Sequence, residues 1–490
     1  MKRNLVIILS FLTVQLFGQD QAGIMHSNYA STNTVEINPA NTVLSKSFIN
    51  VNLAGFHAFA NNNLVYIAKD QYKLGQFVKG NFENVTPSYN LSTNKSIGNS
   101  TGTISGPAIA MSFGDHGFDL HANLKVFGNV GNAPTSVADY AINNTLPVAG
   151  NYQYQNMKGA GLSYAEFGGS YSRNILKKGN QLLAAGATFN YLVGIGGGAA
   201  KLHNVDLDVL NAQDVQLNTL HGEYMYVNPE WKSGKGFSTS FGINYALMEG
   251  DVTDHKHNTK ESDCNCEDHK LKLGASLIDL GFVNFKDKAL YRNFSENGDP
   301  SSLTGTVENL DANIAAQTTD GAQQVWSRSK IYLPGAFSLQ ADYKVQDHLY
   351  IAGAYIHGFN KGRKRFGVER ANVLSLTPRI EFKRFEFALP VSVWEWRKPQ
   401  LGAMIRINNN LIIGTDKLGG LIGKTNVYGA DIYVNLKFGI TRNPSCKSKD
   451  KGSPSFSSSS PKPSKYKKKK SNNPKKKSGK HDTYSCPAWN

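Results

Sequence analysis

Residues 427–440 alternate between two faces. Tyr428, Ala430, Ile432, Val434, Leu436 and Phe438 fall on one side of an extended chain, and Asp431, Tyr433, Asn435 and Lys437 on the other. About ten residues of strict period-two alternation suffice for a tilted strand to cross a bilayer, one face on lipid and one on a polar lumen. The same pattern recurs at roughly 48–59, 105–113, 118–128, 161–173, 181–195, 236–248, 271–283, 335–344, 348–357, 373–382, 385–395, 400–407 and 410–416. The expected fold class is all-β: a transmembrane antiparallel β-barrel of about 14 strands over 48–440.

The faces follow from the alternation. Phe118, Leu120, Ala122, Leu124 and Val126 should meet lipid, with Asp119, His121, Asn123 and Lys125 inside. Leu374, Leu376, Ile380 and Phe382 should point out, opposite Ser375, Thr377, Arg379 and Glu381. Inward Asp342, Arg379, Glu381, Glu386, Arg406 and Asp431 are expected to form an ion-pair network that fills or narrows the lumen, stabilising the wall or setting selectivity.

Connector lengths separate by parity. Tight links at 115–117, 345–347, 383–384 and 408–409 alternate with long ones at 60–104, 129–160, 196–235, 284–334 and 358–372. Short periplasmic turns and long outer loops alternate in this way in bacterial barrels. An even strand count then puts both chain ends on the periplasmic side. Pro378 and Pro390 interrupt adjacent predicted strands and each removes a ladder donor. They predict one local irregularity, with a lateral gap in the wall as its strongest form. Val307, Leu310 and Ile314 share a helical face in a loop expected to cap the barrel.

Processing and charge sharpen the picture. Residues 1–18 read as a secretory signal, with Lys2 and Arg3 before an apolar run from Leu5 to Phe17. No later run is apolar enough for a spanning helix. Glycine is abundant (47), as are Tyr (22) and Phe (25), which suits barrel bends and interfacial aromatic girdles. Residues 441–490 hold 14 Lys/Arg and two Asp/Glu, so this segment supplies +12 of the chain's +16. The body, 19–440, is nearly neutral.

Residues 20–63 contain Ala22-Gly23-Ile24-Met25 and Glu36-Ile37-Asn38-Pro39-Ala40-Asn41 before the first strand. This resembles the amino-terminal segment of FadL-type and PorV-type barrels. Gly274–Gly281, Leu333-Pro334-Gly335, Gln340-Ala341-Asp342-Tyr343, Gly414-Thr415-Asp416 and Gly429–Val434 are similar to landmarks of an uncharacterised Bacteroidota outer-membrane barrel family. The resemblance implies a fourteen-strand barrel with an internal hatch, residues 19–47, whose turn is Asn38, Pro39 and Ala40. It implies no settled activity, since relatives range from hydrophobic-solute transporters to components of type IX secretion.

The tail reads separately. Residues 447–465 are rich in Ser, Pro and Lys, which predicts disorder. Lys467, Lys468, Lys469, Lys470, Lys475, Lys476 and Lys477 form two basic clusters, and the chain ends with Trp489 close behind Cys486. In the periplasm such a tail would meet peptidoglycan carboxylates, lipid headgroups or an acidic protein rather than nucleic acid; the alternative is a solvated tail with no dedicated partner. Cys264, Cys266, Cys446 and Cys486 all fall in expected periplasmic segments, where disulfides form, and their pairing stays open. His255, His257, Cys264, Cys266 and His269 cluster in the connection after residue 248, but their spacing fits no standard zinc pattern, so no metal or other cofactor is expected. No nucleophile elbow, His-Glu-x-x-His or phosphate loop occurs, which argues against an enzyme. Two readings survive: an outer-membrane interaction or assembly component, with a link to type IX secretion, that docks periplasmic partners through its tail; and a FadL-like transporter of a hydrophobic or small solute. The tail and cysteines favour the first. A charge-rich lumen with no evident greasy pocket disfavours the second.

Overall fold

The structure, a computed structural model, describes residues 20–69, 71, 87–90, 96–134, 149–211, 214–259, 268–286, 288–302, 329–359, 366–442, 445–446 and 484–485. Counting only strands of the closed ring, these are β1 (Ile49–Asn62), β2 (Ser96–Phe113), β3 (His116–Ala133), β4 (Gly150–Lys178), β5 (Gln181–Asn211), β6 (Gly234–Met248) and β7 (His269–Asn284). There follow β8 (Ala336–Gln346), β9 (Leu349–Gly358), β10 (Val373–Glu381), β11 (Phe385–Ala388 and Val391–Trp394), β12 (Gln400–Leu401 and Ala403–Ile407), β13 (Leu411–Thr415) and β14 (Asp431–Ile440). Each strand pairs antiparallel with the next, and β14 returns to β1, from Ile49 opposite Ile440 to Phe59 opposite Asp431. The ring therefore closes at the fourteen strands that alternation predicts, and closure removes the unpaired edges that lipid would not tolerate.

The two faces separate as the alternation requires. Outward Phe118 and Leu120 are 51% and 64% exposed, whereas inward Asp119 is 2% exposed. Leu374, Leu376 and Ile380 are exposed, while Ser375, Thr377 and Arg379 are buried. The exposed residues form the apolar outer belt of a membrane-embedded barrel. No helix among the described residues is long and apolar enough to cross a membrane.

β4 and β5 run 29 and 31 residues, well past a bilayer span. Their extra length pairs onward to strands Asp214–Val227 and Leu290–Ser302, making a sheet that rises from the long-loop end.

Pro390 splits β11, and Gly402 splits β12 at the same level. This is an irregularity but not a gap. Leu389 N donates to the Pro378 carbonyl at 3.0 Å, and Gly402 N to the Pro390 carbonyl at 2.7 Å, so the wall stays hydrogen-bonded. The residues of the expected capping helix, Val307, Leu310 and Ile314, lie outside the described residues.

Candidate functional site

Residues 20–47 touch inward faces around much of the ring. Asn38 shows how one side chain does two jobs. Its Oδ1 accepts from Ala40 N at 3.0 Å and caps the short 3-10 turn Pro39–Asn41, where Pro at the first position leaves no orphaned donor. Its Nδ2 donates to the Ile243 carbonyl, Asn244 Oδ1 and Gln340 Oε1 at 3.1, 3.2 and 2.9 Å, pinning the turn to β6 and β8. Two wall glycines make room for it. A Cβ on Gly186 would lie 2.7 Å from Ala40 N and from Pro39 C, and one on Gly242 would strike the Asn38 amide oxygen. On other strands, the Ser276 hydroxyl donates to the Ile37 carbonyl at 2.6 Å and that of Ser112 to the Val43 carbonyl at 2.8 Å.

A buried ion network grips the same segment from one side. Arg379 donates in bidentate fashion to Asp342 at 2.9 and 2.8 Å, and its Nε lies 3.3 Å from Glu381. Arg406 Nε donates to Glu386 at 2.8 Å and also reaches Asn409. The plug completes these carboxylates. Ser27 Oγ donates to Glu386 at 2.6 Å, and the backbone and side-chain amides of Asn28 donate to Glu381 at 3.1 and 2.8 Å. Paired and hydrogen-bonded on several sides, the carboxylates tolerate burial that an isolated charge would not. At the short-turn end Lys46 pairs with Asp268, which also receives Lys344 at 3.1 Å. Burial opposes charge on Lys46, but Asp268 together with Tyr350, Tyr29 and Glu381 outweighs it and holds the ammonium well above its usual range. Burial likewise opposes charge on Asp268, yet Lys46 and Lys344 hold its carboxyl well below the usual range.

Five of the six expected lumen residues thus join one network. Asp431 belongs to a second cluster nearer the long-loop end. It lies 3.0 Å from His57 Nε2 and accepts from Asp416 N at 2.5 Å, while Asp416 Oδ2 accepts from Ala22 N at 2.7 Å.

Above the plug the lumen turns apolar, contrary to the expected charge-rich interior without a greasy region. Phe127, Tyr164, Leu192, Val283 and Phe285 pack with Phe366 in a buried cluster toward the long-loop end. Phe127 and Tyr164 keep the inward phase of Lys125 and Glu166, so alternation gives their direction; their grouping with Phe285 and Phe366, which lie outside the strands, needs the fold. The reason is packing: a closed end excludes water and needs no polar lining.

The wall of β1–β3 is built differently. Ladder pairing stops between Asn52 opposite Ala108 and Gly55 opposite Ser105, and β2 bulges so that Gly106 and Pro107 oppose only Ala122 of β3. Asn52 Nδ2 fills in by donating to the Gly106 carbonyl at 2.9 Å. Outside this break lies a groove of about 660 Å³ lined by Ile109, Leu120, Phe167, Phe189 and Tyr191. Inside lies a narrow cleft of about 10 Å³ lined by plug residues Thr32, Val35 and Glu36. Ala108 and His121 border both. His121 is held by Asp119 at 2.6 Å and Asn190 at 3.1 Å, beside a Lys125–Glu166 pair at 2.8 Å. The dipeptide Gly106-Pro107, at the head of a predicted strand, is the sequence signal of this break.

The remaining candidates do not assemble a site among the described residues. His257 Nε2 lies 2.7 Å from the Ser45 carbonyl and His269 Nε2 3.0 Å from Asp342, so each is committed within the fold. With His255 they border one small floor cavity, but no group of three residues among those described has metal-holding geometry. Cys264, Cys266 and Cys486 lie outside the described residues, as do Lys467–Lys470, Lys475–Lys477 and Trp489. At Cys446 the backbone pairs with Tyr484.

No curated protein is similar to the chain. Solved structures with a similar arrangement include a "TodX deltaS2S3 mutant monoaromatic hydrocarbon channel" (TM-score 0.40, 9% identity, 88% of this chain and 98% of that one). Others are the "translocator domain of autotransporter NalP" from Neisseria meningitidis (TM-score 0.27, 10% identity, 80% and 88%) and the P. putida toluene transporter TodX (TM-score 0.24, 10% identity, 87% and 100%). A family model described as "Family of unknown function (DUF5723)" matches residues 39–416, and the chain belongs to that family.

Proposed function

We propose that this protein is an outer-membrane uptake barrel for a small, largely apolar solute, with the plug 20–47 as its seal and the β1–β3 break as the point of entry. The observation that carries the reading is the shared border at Ala108 and His121: an apolar groove on the lipid side and a polar cleft beside the plug meet where the ladder is interrupted. Among the described residues, apolar packing at the long-loop end and the ion network at the short-turn end occupy the axis of the barrel, which disfavours an axial route. A molecule dissolved in the bilayer would approach the groove by its apolar side, then exchange lipid contact for the polar groups around His121. Passage onward requires the plug to shift, as in gated rather than free-diffusion pores.

The test is entry of a small phenol and of a sugar of equal size into proteoliposomes. Ala122→Trp places a large ring in the groove on the lipid face, where the fold tolerates it. The expected outcome is several-fold slower phenol entry with sugar entry unchanged and negligible. Equal entry in wild type and variant rejects the lateral route.

A further inference from the structure

We infer that the lateral site takes solutes with a hydroxyl on an otherwise apolar body, phenols before bare hydrocarbons. The inference rests on the lateral entry proposed above and names the chemistry that entry selects. It comes from two polar atoms left over in the cleft inside the break. Asn52 and Asn435 are 3% and 2% exposed, and among the described residues Asn52 Oδ1 and Asn435 Nδ2 have no hydrogen-bond partner. Both side chains line the cleft. One orphan is an acceptor and the other a donor, and buried groups of either kind are normally satisfied.

Much of the remaining polar lining is already committed. Asn33 donates to Gln21 at 3.2 Å, Thr32 to Asn50 at 2.9 Å and Asn123 to Glu166 at 3.2 Å, while His121 is held by Asp119 and Asn190. The orphans are also fixed in place. Asn52 Nδ2 donates to the Gly106 carbonyl at 2.9 Å, so flipping the amide would forfeit the bond that bridges the break. Asn435 stands opposite Gly55, where a Cβ would lie 2.4 Å from its amide oxygen, so the glycine makes the room the amide occupies.

At about 10 Å³ the cleft holds one water-sized group and no ring. A hydroxyl is such a group, and it donates and accepts at once: its proton goes to Asn52 Oδ1 and its oxygen receives Asn435 Nδ2. Glu36, which also lines the cleft, offers a second acceptor. The ring stays in the outer groove among Leu120, Phe167 and Phe189. A water in the cleft makes the same two bonds. A phenol that displaces it restores both, a methyl ether restores one and a hydrocarbon none.

Fluorine NMR tests the inference, with 4-fluorophenol, 4-fluoroanisole and 4-fluorotoluene titrated against the full chain in nanodiscs and empty nanodiscs as the blank. The phenol should bind at least several-fold more tightly than the anisole, and the toluene most weakly. Asn435→Leu, which removes the unpartnered donor, should erase that order. The wild-type ranking needs no variant, so a misfolded Asn435→Leu leaves the test intact. Equal affinities in the wild type, no binding beyond the blank, or an order that persists in folded Asn435→Leu overturns the inference. So does tighter binding of 4-fluorobenzylamine than of the phenol, which would make Glu36 the centre of a cation site. Selective phenol binding without entry into proteoliposomes would reject the lateral route and leave hydroxyl recognition standing.

Discussion

The two halves of the lumen wall hold the plug in opposite ways. Along β8–β12, Arg379 and Arg406 are almost wholly buried and every carboxylate they meet is also bonded to the plug or the neighbouring strand. Along β1–β3 the ladder lapses at Gly106-Pro107, a single asparagine side chain bridges the break, and an apolar groove faces outward. One wall anchors and the other yields. A barrel built this way need not open along its axis: it can keep the plug fixed at one side and admit a molecule at the other.

The contrast breaks most severely if the anchoring wall is cut. Arg379→Met leaves Asp342 and Glu381 buried without their main partner, a loss of about 3–5 kcal/mol for a broken buried pair. It should appear as a large drop in the temperature at which the folded barrel band disappears on a gel. Ala122→Trp on the yielding wall should leave that temperature nearly unchanged.

Next comes the seat of the hatch turn. Gly242→Val drives a side chain into the Asn38 amide, and Gly186→Val into Pro39 and Ala40. Both should raise ion conductance in planar bilayers at least several-fold while the barrel stays folded. Silent channels would show that the turn does not hold the seal.

A smaller effect should come with acid. Burial pushes the His26 imidazole down from 6.5 to about 3. A released plug takes up this proton at ordinary His values, so the docked state is fully favoured above pH 6.5 and loses up to roughly 1.4 kcal/mol per pH unit as the pH falls toward 3. Asp268 works in the same direction: its carboxyl is held below the usual range in the docked state, so its contribution is full above the ordinary value of 3.8 and is lost progressively as the pH falls below it. Conductance should therefore rise on acidification below pH 6.5, and His26→Gln should flatten the rise. The smallest change is Pro107→Ala, which restores a donor to β2 and should add no more than about 1 kcal/mol of stability while slowing phenol entry.

How much of this could be read from the chain follows from geometry. The strands were legible because each is wetted on one face and oiled on the other, so Asp119 and Leu120 betray their directions within a few residues. The hatch turn was legible as Asn38-Pro39-Ala40, but its seat was not: Gly186 and Gly242 are ordinary strand glycines until the fold brings them against Pro39. The charged residues of β8–β12 could be placed inward, while their completion by Ser27 and Asn28 needed the plug's path. Pro390 marks a wall that hydrogen bonds keep closed, whereas Gly106-Pro107, at the actual break, has the sequence pattern of a strand start. The apolar stopper around Phe127 and Tyr164 hid because it is completed by Phe285 and Phe366, which lie outside the strands and carry no alternation. The reading of the tail as a dock for envelope partners concerns residues beyond those described and gains no geometric support.

The most direct measurement is planar-bilayer conductance of the full barrel beside one lacking residues 20–47. The account predicts a nearly silent full-length protein and a steady, ion-conducting pore once that segment is gone. A full-length protein that already conducts like the deleted form would contradict it.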